Sequence, residues 1–143
     1  MTRYLLDTNI VSHLLKGHPL LMQQIAAKPM KSICVSSITV GELLYGLAKR
    51  PTAKRLHSAV REFLRCAEVL PWDPACAERY GATRAELEHK GKPLAALDLL
   101  IAAHALTIDA VLVSNDHAFA QVVGLKLQDW TQSVHPRTGR DLR

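Results

Sequence analysis

P-L-A-A-L-D-L-L-I-A-A-H-A-L, residues 93–106, is almost wholly apolar, and one carboxylate, Asp98, stands inside it. Ala and Leu favour a helix, and Pro93 suits a helix start. Leu94, Leu97, Ile101 and Ala105 fall on one stripe with 3/4 spacing. Leu99, Ala102, Ala103 and Leu106 make a second apolar side, so the spacing predicts a helix buried on most faces. A carboxylate placed there loses hydration, which costs several kcal/mol (about 2–7 for a polar group without a partner). Two readings follow. Asp98 is either a first-turn residue favoured by the helix N-terminus, an effect of about 0.3–1 kcal/mol, or part of a site.

The rest of the chain bears on that choice. Its 143 residues are enough for one domain with a real core. Hydrophobic residues make up 48% and charged residues 22%, a globular composition. Asp98 and His104 interrupt the longest apolar run before it reaches the ~20 residues of a membrane span. The opening Met1-Thr2-Arg3 leads almost directly into a strand-like run, without the pattern of a signal peptide. Cys34, Cys66 and Cys76 are odd in number and lack CxxC spacing, which speaks against a disulfide framework or a structural zinc site. A reducing, cytoplasmic setting fits. The net charge of +5 favours polyanionic partners or acidic protein segments.

Outward from the central helix, strands and helices alternate. Tyr4-Leu5-Leu6 reads as a buried strand ending at Asp7, and Thr8 or Asn9 as the cap of a helix through Leu15. A second helix is expected over about Leu20–Ala27, and Ile33–Ser36 reads as the second strand. A helix starting at Ser37 or Thr39 carries Glu42 in its first turn. Further helices are expected over residues 52–66 and 73–89, and further strands at 67–70, 110–113 and 125–127. Ser114-Asn115-Asp116-His117 is a turn-rich cluster closing the 110–113 strand, and Trp130 is expected to cover a core edge. Such alternation predicts an α/β domain with a mainly parallel sheet of about five strands flanked by helices. Ligands of such sheets bind outside the carboxyl ends of the strands.

Asp7, Glu42, Asp98 and Asp116 each follow a strand or begin a helix beside an apolar run. Glu62, Glu78, Glu86 and Glu88 lie instead on polar helix faces, where solvated surface explains them. Carboxylates that converge repel one another and raise their pKa values, and a divalent cation removes that penalty. With oxygen ligands alone, Mg²⁺ or Mn²⁺ is the natural ion, and it points to phosphoryl chemistry. His104, on an apolar helix, reads as a satisfied core residue. No Gly-rich phosphate loop, HExxH or GxSxG motif is present.

L-L-D-T-N at 5–9, S-x-x-x-x-E-L-x-x-G at 37–46, the 93–105 stretch, L-V-S-N-D-H-A-F at 112–119 and G-L-x-L-x-D-W ending at Trp130 together resemble the PIN-domain ribonucleases. Within them the chain is most similar to the VapC toxins of prokaryotic toxin–antitoxin pairs. The resemblance runs in order from residue 3 to residue 130. It implies a PIN-like three-layer fold over residues 1–133; residues 134–143 exceed the family's usual ending and, basic and without apolar period, read as a flexible tail. It implies an endoribonuclease dependent on Mg²⁺, with Mn²⁺ able to substitute, that cuts structured RNA such as tRNA or rRNA. It implies a VapB-type antitoxin as partner, a homodimer and a toxin–antitoxin hetero-oligomer. By the same resemblance Asp7 and Asp98 are the principal metal ligands. Glu42 and Asp116 complete the acidic pocket, in part through water, and Thr8, Ser114 and Asn115 are supporting polar residues. The helical segments bearing Ile10, Leu14, Leu44 and Leu47 offer apolar surface for the dimer. The rival expectation is a non-catalytic RNA-binding or regulatory protein of the same fold. Against it, a pure phosphate binder gains nothing from four clustered acids. A phosphatase with Asp7 as nucleophile is disfavoured, because Asn9 stands where a second Asp would be needed.

Overall fold

The computed structural model describes residues 1–132, so the basic tail expected at 134–143 lies outside the described residues. Five short strands form one sheet: β1 (Tyr4–Leu6), β2 (Ile33–Ser36), β3 (Glu68–Leu70), β4 (Val111–Val113) and β5 (Lys126–Gln128). Their spatial order is β3-β2-β1-β4-β5, and every neighbouring pair is parallel. Parallel strands require crossover connections, and among the described residues six helices supply them for every pair but β4–β5, which a short 3₁₀ turn at His117–Gln121 connects. The helices are α1 (Thr8–Leu15), α2 (Pro19–Ala26), α3 (Ser37–Lys49), α4 (Lys54–Cys66), α5 (Pro74–His89) and α6 (Ala96–Thr107).

Side-chain alternation along the strands divides the core into two layers. In register, Leu5 pairs with Cys34 and Leu112, and all three pack with Leu99, Ile101, Ala102 and Phe119 on the α5–α6 side. Their neighbours Leu6, Val35 and Val113 face the other way, into Ile10, Val11, Leu43, Leu47 and Val60 on the α1–α4 side. Trp130 closes one edge of that second layer at 3% exposure, its ring 5.1 Å from that of Tyr4. Lys28 lies over both rings, at 4.9 Å from Trp130 and 5.5 Å from Tyr4.

Several boundaries differ from the sequence expectation. The central helix begins at Ala96, after an extended lead that includes Pro93, and this lead lets Leu94 pack on the α5–α6 core. Helix α1 is capped by Asp7 itself, in place of Thr8 or Asn9. Helix α3 is capped by Ser36 and starts at Ser37, which moves Glu42 into its second turn. Ile10 and Leu47 are spent on the interior of their own chain. Of the four residues expected to supply a dimer stripe, Leu44 is the exposed one, at 46%, with Leu14 half-buried. Leu97 is likewise 46% exposed, so α6 is buried on fewer faces than its composition suggests.

Candidate active site

Strand order runs outward from β1 in both directions, so the chain reverses its direction of travel between β1 and β4. At such a switch point the helices leaving adjacent strands diverge and open a crevice at the strand C-termini. Asp7 follows β1 and Ser114, Asn115 and Asp116 follow β4, which brings these residues to the same edge. The Asp7 N–H donates to the Val113 carbonyl at 3.2 Å and fixes the carboxylate's backbone at the crevice.

Asp7 is 5% exposed, and its Oδ1 accepts the Ile10 N–H at 2.8 Å. Burial pushes its carboxyl above the ordinary range. The Ser114 hydroxyl and the Ile10 N–H act against that rise, while the negative charges of Asp98 and Asp116 add to it. Asp98 occupies the first turn of α6 and is half-buried. It too is pushed up, first by burial and then by Asp116. The helix start favours a carboxylate there, yet desolvation and like charge win.

Asp7, Asp98 and Glu42 line one cleft of about 190 Å³, with Thr8, Asn9, Ile38, Leu97 and Ile101. Thr8 donates its hydroxyl to Thr39 at 3.2 Å, which ties the start of α1 to α3. Asp116 stands outside the cleft lining and acts on the other two acids through its charge. Its Oδ1 accepts the Ala118 N–H at 2.9 Å and caps a short 3₁₀ turn, His117–Gln121. The Asp116 N–H in turn donates to Ser114 Oγ at 3.0 Å. Asn115 is half-buried in the same turn and does not line the cleft. Sequence reasoning missed Asn9 as a wall residue. The signal is available in the L-L-D-T-N stretch, where Asn9 reads as a helix cap and as an argument against a phosphatase.

The four acids therefore do not close into one tight cluster. Among the described residues no group of three His, Cys, Asp or Glu side chains is gathered into a ready-made metal cage. None of the four is ion-paired among the described residues either. Two carboxylates raised by burial, across an open cleft with no cation in its lining, are an oxygen donor set that suits a hard divalent ion. Mg²⁺ in particular takes one or two carboxylates and keeps several waters. His104 is buried, and its Nδ1 pairs with Ser36 Oγ at 2.9 Å, which is the satisfied interior histidine the sequence suggested.

The fold and the cleft at its switch point define a PIN domain: the family profile matches residues 4–125, and the chain belongs to that family. Its relatives are VapC proteins. It is 37% identical over 131 residues to Ribonuclease VapC2 of Haemophilus influenzae, a match spanning 91% of this chain and 99% of the relative. It is 33% identical to the tRNA(fMet)-specific endonuclease VapC of Shigella flexneri, across 92% of this chain and all of the relative (100%). Among solved structures it is similar to VapBC2 of Rickettsia felis bound to a promoter DNA fragment. The TM-score is 0.84 and the identity 34%, over 90% of this chain and 99% of that one.

Proposed function

We propose that this chain is a cytoplasmic Mg²⁺-dependent endoribonuclease, the toxin of a type II toxin–antitoxin pair, acting on structured RNA. The observation that carries the reading is the pair Asp7 and Asp98. Both are desolvated, both are raised in pKa, and both face one cleft without a protein cation. Relatives named as ribonucleases over nearly their whole length support the activity.

Asp7 and Asp98 would hold the ion, Mg²⁺ or Mn²⁺, with Glu42 completing its surroundings from α3 and Asp116 acting through its charge or through water. A bound Mg²⁺ lowers the pKa of a water and stabilises charge on phosphate oxygens. The protein's own acids have two tasks. Unneutralised, they repel a phosphodiester, so RNA enters only when the cleft's charge is balanced. Placed beside the reacting phosphate, a free carboxylate accepts the proton released by water, a role worth about 10²–10⁴-fold. Thr8 and Asn9 line the cleft, while Ser114 lowers the cost of charging Asp7 and fixes the 114–116 turn that also contains Asn115.

An antitoxin fits the same reading. An apolar groove lined by Leu15, Leu43, Leu56 and Val60 shares Thr8 and Glu42 with the acidic cleft. A VapB-type helix laid there places an Arg or Lys at Asp7 and Asp98, where it substitutes for the cation. The similarity to VapBC structures supports this partner and a toxin–antitoxin hetero-oligomer; the homodimer is part of the proposal.

The test is cleavage of total RNA with mapping of new 5′ ends, in Mg²⁺ and in EDTA. Discrete cuts that vanish in EDTA are expected. Cuts that persist in EDTA overturn the metal reading, and RNA that is bound but never cut favours a non-catalytic binder.

A further inference from the structure

His104 lies in the interior at 1% exposure, away from the cleft lining. Its partner, Ser36 Oγ at 2.9 Å, is fully buried (0%) and comes from a residue far away in sequence. The same Ser36 oxygen accepts the Ile38 N–H at 3.1 Å and caps α3, the helix that carries Glu42. His104 itself belongs to α6, the helix that carries Asp98. A second link runs beside the first. The Trp72 N–H donates to Ser37 Oγ at 3.0 Å, and the Trp72 indole N–H donates to the Leu100 carbonyl at 2.9 Å. The start of α3 is thus joined to α6 twice, directly at His104 in its last turn and through Trp72 at Leu100.

An apolar contact could fill this space, but it would not fix direction. Hydrophobic packing is non-directional, whereas a buried hydrogen bond holds donor and acceptor to a narrow geometry. Burial also holds the imidazole below its ordinary pKa, so the ring stays neutral at neutral pH and packs without an uncompensated charge. Glu42 comes from α3 and Asp98 from α6, both line the cleft, and unneutralised carboxylates repel one another. We propose that the Ser36–His104 bond, backed by Trp72, is a positioning device that fixes α3 against α6 and so sets the separation of Glu42 and Asp98 for a divalent cation. His104 is a positioning residue and touches neither ion nor RNA. The inference rests on the reading of the cleft as a metal site.

Mn²⁺ titration of the RNA-free protein, followed by the loss of the free-ion electron paramagnetic resonance signal, separates the two ideas. His104→Leu fills the volume without the bond, and His104→Asn restores a polar atom near the Nδ1 position. His104→Leu, folded by circular dichroism, is expected to bind Mn²⁺ about 10–100-fold more weakly, the usual cost of losing an outer-shell support, and His104→Asn to recover most of that loss. Under saturating Mn²⁺ the His104→Leu protein should keep the wild-type KM for RNA. A folded His104→Leu with wild-type Mn²⁺ affinity, or a His104→Asn weakened as much as His104→Leu, overturns the proposal. If His104→Leu does not fold, Trp72→Phe keeps the ring and deletes the bond to Leu100. It should weaken Mn²⁺ binding in the same direction, and unchanged affinity overturns the proposal equally. A wild-type protein that binds no Mn²⁺ removes the metal reading itself, and this inference with it.

Discussion

Asp98 sits under opposing influences. The N-terminal turn of α6 favours its negative charge, while burial and Asp116 oppose it, and its raised pKa shows which side wins. A carboxyl whose folded pKa is raised binds more protons folded than unfolded. Stability therefore falls as pH rises from the ordinary carboxylate pKa through the raised one, and the deficit is fully present above it. Asp98→Asn keeps size and removes the charge. Without metal it should match or exceed wild-type stability at pH 7, and the advantage should shrink toward pH 4; melting curves across that range check the sign. Cleavage by Asp98→Asn should fall by at least about 10²-fold, the low end of what one positioned catalytic group contributes. An Asp98→Asn protein that cuts at the wild-type rate leaves the proposed site without support. Asp7 carries a second duty as the cap of α1. Asp7→Asn retains a capping oxygen and should lose activity alone. Asp7→Ala should lose activity and a further ~1 kcal/mol of stability, measured by urea titration.

The elements owe their positions to packing as much as to propensity. Helix α6 contains Ala and Leu in abundance, yet it starts a turn later than Pro93 because Leu94 is drawn onto the core. In the other core layer, β1 and the residues after β5 meet through Tyr4 and Trp130, with the indole N–H donating to Gln128 Oε1 at 2.8 Å. Trp130 is 3% exposed, so Trp130→Ala removes a large buried surface and should cost about 3–5 kcal/mol. Calorimetry should show that loss. A loss under ~1 kcal/mol would mean that this edge is not held by the ring.

Across the whole molecule, an acidic cleft is set in a chain of net charge +5. Lys16, Lys49 and Arg50 line the apolar groove that adjoins the cleft, so cationic surface begins where the carboxylates end. On the proposed reading, the cations attract RNA phosphates while the bare acids repel them, and an antitoxin's basic side chain would neutralise the acids. Leu56 forms part of the groove and takes no part in the acidic cleft. Leu56→Asp should therefore weaken antitoxin binding by about 10-fold or more, a loss of ~1.4 kcal/mol. Cleavage of RNA by the free protein should stay near the wild-type rate. Co-expression growth rescue and titration calorimetry report the two halves separately. Antitoxin affinity unchanged by Leu56→Asp would place the partner elsewhere.

The sequence by itself determined the alternation of strands and helices, the parallel sheet that follows from it, and the acids worth watching. Those properties are local: apolar runs, turn residues and a lone carboxylate among leucines are visible without neighbours. It also carried the family resemblance that the profile match bears out. Only the tertiary structure decided where the acids stand relative to one another. Asp7, Glu42 and Asp98 share a cleft because β1 meets β4 at the reversal of strand order while α3 and α6 flank it. Asp116 stands outside that lining, where its carboxylate caps the turn that follows β4. The pairing of Ser36 with His104 was equally out of reach. A hydrogen bond between residues so distant in sequence depends on how two helices pack, and no pattern along the chain encodes that packing locally.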